Sequence, residues 1–169
     1  MTTNNKHSLF KEILDKYERP LLRYVRQMVA GRLEKAQEIV QETFLKLWKE
    51  EFREIQTYCP QWLYRVARNQ AIDEYRKERQ MKKHILQQND QGAALPLQLA
   101  EELMQKNDVL KAVASLPAKA REAVILKFQE GLSYAEIGSV MGISISHVGV
   151  LIHQGVQILR KALAAGGGQ

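Results

Sequence analysis

LSYAEIGSVMGISISHVGVLIHQGVQILRKAL, residues 132–163, decides how this chain is read. Ser133 followed three residues later by Glu136 is a capping box, so a helix is expected to start there. Ile137, Val140 and Met141 fall on one face of that helix. Gly138 has no side chain and marks where a crossing helix is expected to come closest. Gly142 supplies the positive-φ stop expected just past a helix end. Ser144 is placed to cap a second helix. Along it Val148, Leu151, Ile152 and Gly155 recur at helical spacing and are expected to pack on the first helix. Ser146, His147, Val150, His153 and Gln154 are left facing outward. Two helices joined this way form a helix-turn-helix, a unit that many proteins use to enter the DNA major groove. Taken alone, the stretch also fits an ordinary helical hairpin.

Composition narrows the class. The chain has 169 residues, enough for one ordinary domain or two small ones. Lys and Arg number 25 against 19 Asp and Glu, a net charge of +6. That balance favours a polyanionic partner, although solvated Lys/Arg faces produce it too. No apolar run approaches the ~20 residues needed to span a bilayer. The N-terminal MTTNNKHSLFKE lacks the apolar core of a secretory signal. A single cysteine, Cys59, excludes an internal disulfide and fits a reducing cytoplasm. His147 and His153 are six residues apart and do not share a helix face, and no Cys/Asp/Glu cluster supports them as metal ligands. There is no P-loop, nucleophile–base set or pair of catalytic acids. The expectation is a cytoplasmic protein without metal, cofactor or intrinsic catalysis.

Charge also locates a boundary. From Pro60 to His84 the basic residues are Arg65, Arg68, Arg76, Lys77, Arg79, Lys82 and Lys83, against Asp73, Glu74 and Glu78. From Ile85 to Val109 the sign inverts, with Asp90, Glu101, Glu102 and Asp108 against Lys106 alone. The second stretch contains QQNDQGAALP, rich in turn and polar residues. The expected organisation is an N-terminal helical domain over 1–80, a flexible linker over 81–107 with a helical part near 98–106, and a smaller helical domain over 108–165. No period-two run is long enough for a sheet, so the fold class is all-α.

Within the first domain, Ser8 is expected to cap a helix carrying Phe10, Ile13, Leu14 and Tyr17, which Pro20 kinks or restarts and Gly31 ends. The next helix, LEKAQEIVQETFLKLWKE, places Ala36, Ile39, Val40, Phe44, Leu47 and Trp48 on one stripe. Pro60 suits the first turn of a third helix running to about residue 80 and burying Leu63, Val66, Ala67 and Ile72. In the second domain, Asp108 is placed to cap a short helix over Val109, Leu110, Val113 and Leu116. Residues 119–129 form another, ending at Gly131, and the helix-turn-helix completes a four-helix unit.

Stretches in both the N-terminal and the C-terminal half resemble the sigma-70 family of RNA polymerase sigma factors, in its extracytoplasmic-function (ECF) branch. AQEIVQETFLKLW (36–48) resembles the family's segment that docks on the polymerase clamp. WLYRVARNQAIDEYR (62–76) resembles the segment that reads and melts the −10 promoter element, and LPAKAREAVILKFQEGLSYAEIGSVMGIS (116–144) the domain that binds the −35 element. The resemblance covers about residues 8–80 and 108–163 and implies two all-α domains joined by a linker. It implies core RNA polymerase and promoter DNA as partners, and an anti-sigma factor as inhibitor.

The resemblance carries roles onto matching residues. Glu38, Gln41, Glu42 and Lys46 become the surface for core polymerase, where acids and amides can pair with arginines on the clamp. The same face also fits a solvated helix with Glu–Lys pairs. Gln37 and Glu38 stand where the family more often has Glu and Asp, which keeps the charge at 38 with a longer reach. Phe52, Gln56, Tyr58 and Trp62 offer stacking and edge contacts to a flipped −10 base, while Trp62 equally suits the core. Arg65, Arg68, Asn69 and Arg76 become the −10 contacts, with Asp73 orienting Arg76. For the −35 element the candidates are Lys119, Arg121, Ser144, Ser146, His147, Val150, His153 and Gln154, with Lys127, Arg160 and Lys161 adding charge. Many members carry Lys or Arg where this chain has Gly149, Leu151, Gln154 and Val156. Weak, salt-sensitive binding by this domain alone follows. A free-standing helix-turn-helix regulator, or a helical protein that binds polymerase or an anti-sigma factor without using DNA, is the alternative.

Overall fold

The computed structural model describes residues 3–50, 57, 59–85 and 108–166, all of their regular structure helical. The chain divides into two compact units, Met1–Gly92 and Ala93–Gln169.

The first unit is built from α1 (Thr3–Met28), α2 (Leu33–Lys49) and α3 (Cys59–Ile85). Ser8 does not start α1, which already runs from Thr3. Pro20 does not restart it either; the helix passes through it. An interior proline costs about 3 kcal/mol. Ile13, Leu21, Tyr24 and Val25 lie on both sides of Pro20 and are all buried. Their joint burial, at roughly 1.5–3 kcal/mol per large side chain, offsets the proline. Ala30 (φ 62°) and Gly31 (φ 75°) then turn the chain. α2 runs antiparallel to α1, with Phe10 packing edge-on against Phe44 and Trp48. It buries Ala36, Ile39, Val40, Phe44 and Leu47, the stripe expected, with Trp48 only half-buried. α3 runs back alongside, to Ile85 rather than about 80. Its buried positions are Cys59, Leu63, Tyr64, Ala67 and Ala71; Val66 and Ile72 are half-buried. Thr43 is fully buried, donating from Oγ1 to the Ile39 carbonyl (2.8 Å) and accepting from Gln70 Nε2 (2.9 Å), so α2 and α3 share a polar tie.

The second unit comprises α4 (Asp108–Ala114), α5 (Ala118–Val124), α6 (Tyr134–Met141) and α7 (Ile145–Gly166). α5 continues into a π-helical turn, Ile125–Gln129. α4 buries Ala112, followed by Leu116, while Val109 and Leu110 are exposed. α6 begins with the complete capping box: Ser133 Oγ accepts from the Glu136 N–H (3.2 Å), and Glu136 Oε2 accepts from the Ser133 N–H (2.7 Å). Gly142, at φ 68°, closes it. The axes of α6 and α7 differ by 101°, within the range of a helix-turn-helix. Gly138 is needed for the turn rather than for the crossing helix. A Cβ there would stand 2.9 Å from the Ile143 carbonyl oxygen but 3.8 Å from Val148. Gly155 faces α5, not α6: a Cβ would come 2.6 Å from Val124 Cγ2.

No helix among the described residues is long and apolar enough to cross a membrane.

Candidate nucleic-acid interface

Burial of one face of each helix determines what the opposite face offers. On α2, Glu38, Gln41, Glu42 and Lys46 are all exposed and lie at three- and four-residue spacing. Lys46 pairs with Glu42 (3.2 Å), and Lys35 reaches both Glu38 (2.8 Å) and Glu74 of α3 (3.2 Å). These two carboxylates hold the Lys35 ammonium above its usual pKa. The solvated Glu–Lys pairing expected of such a face is therefore present, yet Gln41 and one apolar residue stand out from it. Leu45 is 61% exposed in the middle of the polar surface. It lines a shallow groove with Phe10, Leu14, Glu18, Val40, Gln41 and Phe44. Attention to the polar residues of α2 missed it; the signal was an apolar residue off the buried stripe.

On α3, Arg65, Asn69 and Arg76 are exposed, and Arg68 and Trp62 are half-buried. Asp73 and Arg76 approach to 4.0 Å, both largely in water, so the carboxylate can orient the guanidinium without sequestering it. Three candidates, Phe52, Gln56 and Tyr58, lie outside the described residues, as does the helical part expected near 98–106.

The second unit presents the N-terminal half of α7. Ser144, Ser146, His147, Val150, His153 and Gln154 are all exposed. Ser144 Oγ accepts from the His147 N–H (3.1 Å), so this hydroxyl caps the helix while its proton and a second lone pair stay available. Ile145 (56% exposed) and Val150 (53%) give this surface an apolar character; Ile145 was not among the candidates. Lys119 is exposed. Arg121 is turned inward, its Nη2 donating to the carbonyls of Ala114 (2.8 Å) and Leu116 (2.7 Å). Burial lowers its pKa. It is a clamp between α4 and α5, with its charge spent on orphan helix-end carbonyls rather than pointed at a ligand. Lys127 lies over the Tyr134 ring, 5.3 Å from its centre.

The chain matches the family Sigma-70 region 2 over residues 13–81 and Sigma-70, region 4 over residues 106–159. The first region spans the α2 and α3 surfaces, the second the helix-turn-helix. RNA polymerase sigma factor CarQ of Myxococcus xanthus is 30% identical over 129 residues, covering 76% of this chain and 74% of CarQ. This chain belongs to the sigma-70 family, in its ECF branch. ECF RNA polymerase sigma factor SigE of Mycolicibacterium smegmatis is 34% identical over 144 residues, 80% of this chain. The match spans 54% of that longer sigma factor. The fold is shared with a sigma factor RpoE solved in complex with the anti-sigma factor NepR from Bartonella quintana. There the TM-score is 0.62 at 23% identity, covering 92% of this chain and 96% of that one. The function that goes with the sigma-70 family is promoter-specific transcription initiation through RNA polymerase.

Proposed function

We propose that this ECF sigma factor divides initiation between its two units, with three helix faces in distinct roles. The α2 face of Glu38, Gln41, Glu42 and Lys46 docks on core RNA polymerase. Its acids and amide suit cationic partners, and Leu45 adds an apolar anchor. α3 engages the −10 element through Arg65, Arg68, Asn69 and Arg76. Strand opening leaves unstacked bases, at a cost of a few kcal/mol, and these need substitute contacts. Trp62, with Phe52 and Tyr58, supplies stacking surfaces worth about 1–3 kcal/mol per base, and Gln56 an amide for edge contacts. The start of α7 enters the −35 major groove. Ser146, His147, Val150, His153 and Gln154 meet base edges, and Ser144, Lys119, Arg160 and Lys161 attend to phosphates. With so few cations on this helix, most of the affinity comes from tethering by the polymerase.

The observation that carries this assignment is the order on one chain of an exposed acidic–amide face, an exposed Arg/Asn face and an outward recognition helix. The chain works in the cytoplasm, where polymerase is, and contributes specificity while the polymerase carries out the chemistry. An anti-sigma factor that withholds it from polymerase belongs to the same proposal on the family's pattern. A free-standing regulator leaves the exposed α2 face without a use.

The test is reconstitution. Purified chain should co-elute with core polymerase and give run-off transcripts from a promoter selected in vitro with the holoenzyme. An Arg68→Ala/Asn69→Ala variant should still co-elute yet lose promoter opening. Failure of the wild-type chain to bind core polymerase would sink the proposal.

A further inference from the structure

A charged feature not used above lies on α1. Between residues 16 and 32 the basic residues are Lys16, Arg19, Arg23, Arg26 and Arg32, against the single acid Glu18. Lys16, Arg19, Arg23 and Arg26 are spaced by three, four and three residues, which places them on one stripe of the helix. All four are exposed. Glu18 sits on the other flank, lining the groove with Gln41 and Leu45 of α2. Along α1, Glu12 and Asp15 precede Lys16 and Arg19 by four residues, and no acid follows Glu18.

The Lys16 end of the stripe is the one nearest α3. Tyr24 meets Tyr64 of α3 with ring centres 5.2 Å apart, and Lys16 acts electrostatically on Cys59, the first residue of α3. The acids of α3 are directed elsewhere: Glu74 to Lys35, Glu78 to Arg32 and Asp73 to Arg76. The stripe is on a different flank of α1 from Glu18 and the α2 groove.

We infer that α1, through Lys16, Arg19, Arg23 and Arg26, is a second phosphate track that holds the backbone of promoter DNA adjoining the −10 segment. The inference rests on the proposed function. Contacts of this kind position the duplex and carry no base information. Each phosphate neutralised on duplex DNA releases counterion and steepens the fall of log K with log salt by about 0.9.

The test uses holoenzyme carrying Lys16→Gln/Arg19→Gln/Arg23→Gln, measured for promoter binding across a potassium chloride series. Arg26 is left in place because its Nε donates to the Gly31 carbonyl (3.3 Å) and supports the turn. The salt slope is expected to become shallower by about 2–3. The ranking of promoters altered at −10 or −35 and the affinity for core polymerase are expected to stay the same. An Arg19→Lys/Arg23→Lys variant should keep the wild-type slope, which separates charge from folding. A folded triple variant with the wild-type slope overturns the inference. So does an unchanged slope with weakened core binding, which would assign the stripe to a protein contact. If wild-type holoenzyme shows no promoter binding, the proposed function itself fails and the track falls with it.

Discussion

Gly155→Ala sets two known effects against each other on α7. A methyl there would stand 2.6 Å from Val124 Cγ2 and 3.7 Å from both the Ala120 carbonyl oxygen and Leu116 Cδ1. Carbon atoms prefer ~3.5–4.0 Å. Val124 cannot swing aside, because it is 5% exposed and β-branched, with essentially one rotamer available in a helix. α7 must therefore lift from α5. Overpacking of this kind costs about 1–3 kcal/mol, and alanine recovers about 0.8–1.0 kcal/mol over glycine through helix propensity. The net expectation is a loss of about 0–2 kcal/mol in the second unit. Val124→Ala alone opens a small cavity and also destabilises. Combined, the new methyl occupies space the valine vacated, so the pair should couple favourably by roughly 0.5–3 kcal/mol. Amide exchange of α5 and α7 in the full chain reads the effect. Both tryptophans, Trp48 and Trp62, are in the first unit, so their fluorescence during urea unfolding reports the unaffected part. Gly155→Ala protecting α7 by about 1 kcal/mol, as propensity alone predicts, would refute the close-packing argument. Simple additivity within about 0.5 kcal/mol would do so as well.

Arg121→Leu should lower the stability of the second unit by about 1–3 kcal/mol, because it strips two carbonyls of their donor. The salt slope of promoter binding should not move, whereas a shallower slope would return Arg121 to the DNA surface. Leu45→Ala should weaken core polymerase binding several-fold in a fluorescence titration while the thermal midpoint stays put, since the side chain is mostly in water; a lowered midpoint would make Leu45 structural. Burial pushes the Cys59 thiol up from 9.0 to about 11, opposed by Lys16. Stability that depends on the protonated thiol is full below about pH 9 and is lost as pH rises toward 11. The urea midpoint should therefore drop between pH 8 and 10.5 more in wild type than in Cys59→Ala. Equal drops would count against the burial.

The sequence was most legible where a local device and a periodic stripe agreed. The Ser133/Glu136 box, the Gly142 stop and the spacing of Val148, Leu151 and Ile152 specified α6 and α7 almost completely. α2 was equally plain, because its apolar stripe is unbroken from Ala36 to Leu47. The outcome at Pro20 was not legible: the local penalty is fixed by one residue, but the compensation comes from burial against helices far along the chain. Arg121 could not be read for a related reason. Its acceptors are carbonyls freed by the break at Ser115–Pro117, and only the folded turn shows that they lie within reach. Gly155 was placed on the correct face but against the wrong helix, because spacing gives a direction and not a neighbour. Leu45 escaped because a docking surface was sought among charged residues.

On α7, the residues that hold the helix and those that face outward are disjoint sets. Val148, Leu151, Ile152 and Gly155 are buried, while Ser146, His147, Val150, His153 and Gln154 are exposed and contribute nothing to the core. Exposed substitutions of this kind usually change stability by less than about 0.5 kcal/mol. The outward set can therefore drift freely, one residue at a time, without a stabilising change having to come first. A duplicated copy of such a gene can acquire a different target sequence through viable intermediates, each of them folded.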